Sequence, residues 1–283
     1  MASLNGNLRR VGQAVAMAAV LCGCVGVGYG LHRLRQAVLA KPPVPAAPAR
    51  VVMDWPGWMP PDVRGELAAA ANSAVKGRNV FDDNLSGDIY NALAASPWVA
   101  RIDLVARCHD GTVRVQAAFR RPLALAEGDD GACVVDADGF VLPLAPERGQ
   151  AAPALMLIRG VSAAAAPPGR QWQSPDLLDA LKLLRMLEGK PYLGQIACID
   201  LRNYSGQLKD PAEPRLRMLA QQGQARTDIR MERMPAADGL DYCVSPQRQI
   251  EKLDAYYYDN GGKLAGVHSF IDLRYDRLHV SLR

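Results

Sequence analysis

The sequence predicts an α+β chain. It reads as a single N-terminal transmembrane helix, a proline-rich stalk, a small unit of two helices and a strand hairpin, and a β-rich region with flanking helices. Three observations predict this. Val11 to Leu31 carries no charged side chain. Near Pro97 the apolar period changes from that of a helix to two. Beyond it, Pro and Gly clusters separate short apolar runs, as turns separate strands.

Arg9 and Arg10 bound the uncharged run on one side, and His32, Arg33 and Arg35 on the other. As a helix at ~1.5 Å per residue, residues 11–31 reach about 30 Å, the thickness of a bilayer's hydrocarbon core. A cleaved signal peptide needs an A-x-A-like site after the run, and the run instead continues through Val25–Leu31. Leu21-Cys22-Gly23-Cys24 also looks like a lipobox that would acylate Cys24, so a membrane-anchored lipoprotein stays open as an alternative. Ala18, Cys22, Gly26 and Gly30 recur every four residues, a small-residue stripe through which two such helices would self-associate. Arg33, Arg35 and Lys41 balance Arg9 and Arg10, so flanking charge does not orient the segment. A short tail, residues 1–10, on the cytoplasmic side and the rest outside is the economical arrangement.

The stalk covers residues 32–50. Within it, prolines at 42, 43, 45 and 48 favour polyproline II over helix or sheet, giving about 30 Å from Lys41 to Arg50 at ~3.1 Å per residue. Pro60-Pro61 then precede a helical stripe of Val63, Leu67, Ala70 and Ala74. Leu85, Ile89, Ala92 and Leu93 make a second stripe that Pro97 stops. Ile102, Leu104 and Ala106 alternate with Asp103, Val105 and Arg107, and Val113, Val115, Ala117 and Phe119 follow at the same period after His109-Asp110-Gly111, which reads as a hairpin. A short strand near Arg50–Asp54 completes a unit at 51–122.

Strands dominate the region 123–283. Cys133–Val135 and Phe140–Leu142 flank an Asp136-Ala137-Asp138-Gly139 turn, and Ala154–Ile158 is a further apolar run. Ser174-Pro175 opens a helix with Leu177, Leu181, Leu184 and Leu187, closed by Gly189 and Pro191. Ile196–Leu201 reads as a strand; Arg215–Gln221 and Arg226–Met231 carry no clear assignment. Ser245-Pro246 opens a last helix with Ile250, Leu253 and Tyr257, ended by Gly261-Gly262, before Ser269–Asp272 and Leu278–Leu282, which read as closing strands or one bent strand.

Composition excludes more than it names. The net charge is +4 with no basic block, which argues against a nucleic-acid partner. Six cysteines and four histidines show no CxxC pair or zinc spacing, so no metal or other cofactor is expected. Asp136 and Asp138 lack the further oxygen ligands a calcium loop needs. No GxSxG, HExxH, P-loop or GxGxxG occurs, and catalysis has no recognisable constellation. In an oxidising compartment the scattered cysteines allow at most a Cys198–Cys243 disulfide.

Four stretches resemble the FtsQ/DivIB family of bacterial division proteins. Ser96-Pro97-Trp98-Val99 is similar to that family's "PWV" junction inside its POTRA domain, and Arg120-Arg121-Pro122-Leu123-Ala124 to its E-R-x-P-x-A run. Val135-Asp136-Ala137-Asp138-Gly139 resembles its "VDxDG" hairpin, and Ile271-Asp272-Leu273-Arg274-Tyr275 its "IDLRY". Phe119 stands where the family usually has Glu, and the stretch from Asn203 to Val244 lacks the family's tryptophan and glycine pattern. The resemblance implies a POTRA-like domain at 51–122 and an FtsQ-type β domain at 123–283. It implies a non-enzymatic scaffold in the inner membrane at the division septum, holding other division proteins, among them small coiled-coil septal proteins. A POTRA-containing envelope transport or secretion module and a ligand-sensing module are the alternatives.

The resemblance also singles out residues. Trp98, Pro122, Asp138 and Gly139 are expected in structural roles: a plug between helices and sheet, a domain joint and a turn. Tyr275 matches a partner-contacting position, and Arg274 to Val280 reads as an edge strand. Simple alternation puts Tyr275, Arg277 and His279 on one side of it. Arg274, Tyr275, Arg277 and His279 are the expected partner-binding residues.

Overall fold

A computed structural model describes residues 17, 22–36, 48–144, 155–206, 208, 213–232 and 244–281. The N-terminal expectation is corrected at once. Residues 22–36 form an exposed helix that runs on past Leu31 through His32, Arg33 and Arg35, where Arg33 Nε donates to the Tyr29 hydroxyl at 3.2 Å. The described stretch 22–36 rises about 22 Å at ~1.5 Å per residue, and its last turn is basic. Among the described residues no helix is long and apolar enough to cross a membrane. Most of residues 11–21 and 37–47, hence much of the predicted span and stalk, lie outside the described residues, as does the tail at 1–10.

From Pro48 onward the chain builds helices on two mixed sheets. β1 (Arg50–Met53), α1 (Pro61–Val75), α2 (Leu85–Ala94), β2 (Val99–Arg107) and β3 (Thr112–Phe119) form a three-stranded sheet of order β1-β3-β2 under two helices. β1 pairs parallel to β3, and β2 antiparallel to it. Val63, Leu67, Ala71 and Val75 of α1 and Leu85, Ile89 and Leu93 of α2 are buried, so the α1 stripe advances by four and passes beside Ala70 and Ala74. Simple alternation fails in β2. Register shifts at Val99/Arg101 and Ile102/Leu104 insert extra residues, and each bulge moves the following side chains to the other face. Leu104 is therefore 44% exposed, while Val105 packs on the core.

β4 (Ala124–Gly128), β5 (Gly131–Val135), β6 (Val141–Leu142), β7 (Met156–Val161), β8 (Ile196–Asp200), β9 (Leu216–Gln222), β10 (Ala225–Met231), β11 (Phe270–Asp272) and β12 (His279–Val280) form a nine-stranded sheet of order β12-β11-β10-β9-β8-β7-β4-β5-β6. Two neighbouring rows across it explain its layering. Ala126, Ile158, Ile199, Met218, Ile229 and Ile271 are directly opposed from β4 to β11, and every one is fully buried. They share a core with α3 (Pro175–Leu187) and α4 (Pro246–Asp259). The next row, on the opposite face, is Glu127, Arg159, Asp200, Arg217, Arg230, Asp272 and His279. Arg217 and Arg230, the one like-charged pair in it, both engage Asp228 at 3.1 Å.

β9 and β10, which sequence alone did not assign, are a hairpin turning at Gly223 (φ +62°) with Leu216, Met218, Ala220, Thr227, Ile229 and Met231 buried. Ser245 caps α4 through Arg248 N at 3.3 Å. Ser174 does not cap α3 in this way; its hydroxyl bonds the buried Asp176. Cys198 is a buried free thiol, raised by burial, and Cys243 lies outside the described residues.

Candidate functional site

The C-terminal edge of the large sheet carries the four residues expected to bind a partner, in a different geometry from the one expected. Arg274 to Val280 is not one strand. β11 pairs parallel with β10 and ends at Asp272, and the chain then bends through 274–277 before β12 returns antiparallel for only two residues. β12 is the edge of the sheet, with no strand on its outer side among the described residues.

Local chemistry accounts for the bend. Asp272 is buried, 4% exposed, and its carboxylate accepts from Arg274 N at 3.1 Å, from Nε at 2.9 Å and from Nη2 at 2.6 Å. A carboxylate bonded to the backbone two residues on mimics a turn and competes with strand pairing. The Asp272 hydrogen bond, against the opposing effect of burial, holds the Arg274 guanidinium above its ordinary value. From α4, Lys252 Nζ donates to the Leu273 carbonyl at 3.3 Å and also to the Tyr275 carbonyl. Burial lowers the Lys252 ammonium below its usual value.

Tyr275 is held out by this frame. It is 51% exposed, its ring lies edge-on to His279 with centroids 5.0 Å apart, and Arg274 sits 5.5 Å from the ring centre. Arg277, His279 and Leu278 are exposed around it. Of the four expected partner-binding residues, three present themselves to solvent beside the sheet edge. Arg274 is committed to Asp272. Lys252 and Asp272, which sequence reasoning did not single out, set the shape. A lysine twenty-one residues upstream gives no local signal of that role.

The structural candidates are spread over the first unit, the link to the large sheet and the turn between β5 and β6. Trp98 is 1% exposed in the core of the first unit, and its carbonyl accepts from Arg120 N at 2.9 Å. Pro122 is half-buried in the link from β3 to β4. Asp138 is exposed and pairs with Arg185 at 2.6 Å. Gly139 takes φ +80°, a left-handed turn that favours glycine. The buried acid of the motif is Asp136, 5% exposed. It accepts from Asp138 N and Phe140 N at 2.9 and 2.8 Å and from Arg120 Nη1 at 2.8 Å. Arg120 in turn stacks 3.4 Å above the centre of the Phe140 ring.

Among the described residues, no group of three or more His, Cys, Asp or Glu is placed to hold a metal ion. No protein-family model and no curated protein matches this chain.

Proposed function

We propose that this chain is a non-enzymatic scaffold of the bacterial division machinery, acting on the extracytoplasmic side of the inner membrane at the septum. The POTRA-like unit at 51–122 and the β domain at 123–283 recruit and link septal proteins, and the small coiled-coil partners bind at the C-terminal edge. The observation that supports this most is the exposed Tyr275 held beside the open edge strand β12. An open edge offers backbone N–H and C=O groups to which a partner segment adds as one more strand, and a neighbouring tyrosine supplies a large rigid anchor. The four stretches resembling the FtsQ/DivIB family point the same way.

Localisation tests it. A fluorescent fusion made at native level gathers at the septum before constriction, and a periplasm-dependent phosphatase fused after Arg283 is active. Uniform envelope fluorescence in dividing cells would favour the transport or sensing readings, and an inactive phosphatase would remove the extracytoplasmic assignment.

A further inference from the structure

A second open surface lies on the first unit, where the chain leaving β1 meets the end of β3. Asp54, Trp55, Pro56, Trp58, Ala117 and Phe119 line a groove of ≈ 340 Å³. Its floor is β3: Ala117 and Phe119 continue the face of Val113 and Val115, which are buried beneath the helices, but are themselves only half-buried. Trp55 stacks on Phe119 with ring centroids 5.6 Å apart and planes inclined by 30°. Two indoles, a phenyl ring and a proline thus form an aromatic trough with an exposed carboxylate, Asp54, at its rim. Troughs of this kind take polyproline II segments, whose pre-extended backbone loses little entropy on docking.

We propose that this groove receives the proline-rich segment Lys41–Ala47 (KPPVPAA) of a second copy of this chain. The segment lies outside the described residues and ends at Pro48, where the chain bridges to Asn79 and enters β1. β1 is about 13 Å long at ~3.3 Å per residue, and the groove opens beyond its other end. To reach the groove of its own chain the segment would have to double back at residues 46–49 and run the length of β1, whereas the segment of a second copy enters without that reversal. Lys41 complements the rim carboxylate of Asp54. The inference rests on the groove and the proline run, and does not depend on a role in division.

The test uses the full chain, a Pro42→Ala/Pro43→Ala/Pro45→Ala triple variant, Trp58→Ala and Asp54→Lys, with synthetic KPPVPAA as the probe. Trp98 and Trp172 are each 1% exposed, so a peptide-induced change in tryptophan emission reports Trp55 and Trp58. The full chain is expected to self-associate with concentration and to dissociate when excess peptide is added. The triple variant loses self-association yet binds the peptide. Trp58→Ala binds it roughly tenfold more weakly. Asp54→Lys, at an exposed position that leaves the core intact, weakens it severalfold. Self-association of the triple variant equal to wild type, failure of that variant to bind peptide, or groove occupancy independent of protein concentration would each overturn the proposal.

Discussion

Tyr275 and His279 meet edge to face, with ring centroids 5.0 Å apart and planes inclined by 65°, across the turn that joins β11 to β12. The contact braces an exposed tyrosine against the edge strand, so both belong to one small surface. Little of the core depends on it, because the buried side of the turn is held by Asp272, Leu273 and Lys252. Partner capture and folding are therefore separable at this position.

The joint between the sheets makes the opposite case. Asp136 and Arg120 are an ion pair with side chains only 6% and 12% exposed. Replacing Asp136 with Ala leaves a buried guanidinium and two backbone N–H groups without their acceptor. Breaking a buried pair in this way costs about 3 kcal/mol. Denaturant unfolding of Asp136→Ala is expected to show that loss, while Asp138→Ala, at an exposed position, stays within about 0.5 kcal/mol of wild type.

Gly160 carries a backbone requirement. It is the extra residue in β7 where Glu127 pairs with Arg159 but Gly128 pairs with Val161, and its φ is +75°. A Cβ there would stand 2.5 Å from Arg202 Cγ and 2.8 Å from Arg202 N, so backbone has to move. Gly160→Ala is expected to destabilise by about 2 kcal/mol, measured by urea unfolding, with no change in septal recruitment.

Asp200 sets part of the acid sensitivity. Burial alone would raise its carboxyl, but the Arg202 hydrogen bonds and the charges of Arg202 and Arg217 outweigh it and hold the group below the ordinary carboxylate range. A depressed folded-state value means that the stabilisation is present above the unfolded value, near ~4, and is lost as pH falls through the folded one. Stability measured against pH is expected to fall on acidification below about pH 4, and less steeply in Asp200→Asn. Identical acid slopes would remove Asp200 from the account.

How far the chain was legible follows from where its constraints lie. Helices announced themselves locally: Pro60-Pro61 before α1, Ser245-Pro246 before α4 and Gly261-Gly262 after it are start and stop signals next to apolar stripes. The β9–β10 hairpin did not, because Gln221-Gln222-Gly223 interrupts two short runs whose alternation includes Thr227 and Ala220. Bulges hid the true faces of β2, since an inserted residue leaves no compositional mark. In the Val135–Gly139 motif the turn was legible, but Asp136 rather than Asp138 is the buried acid. That choice depends on Arg120 arriving from the preceding strand. At the candidate edge the structure departs from the expected shape. Tyr275, Arg277 and His279 cluster at the edge, but a strand was expected where Asp272 and Lys252 together make a turn. The membrane span was read from an uncharged run, and the described helix instead continues into Arg33 and Arg35.

The most direct test of the central claim is Tyr275→Ala, measured for partner capture and folding in the same preparations. The purified full chain and the variant are titrated with the small coiled-coil septal protein of the same cell, and thermal melts are recorded alongside. Tyr275→Ala is expected to lose at least about 2 kcal/mol of binding, roughly thirtyfold in affinity, with the melting temperature nearly unchanged. Undiminished binding, or equal losses of binding and stability, would contradict it and leave Tyr275 a packing residue at the sheet edge.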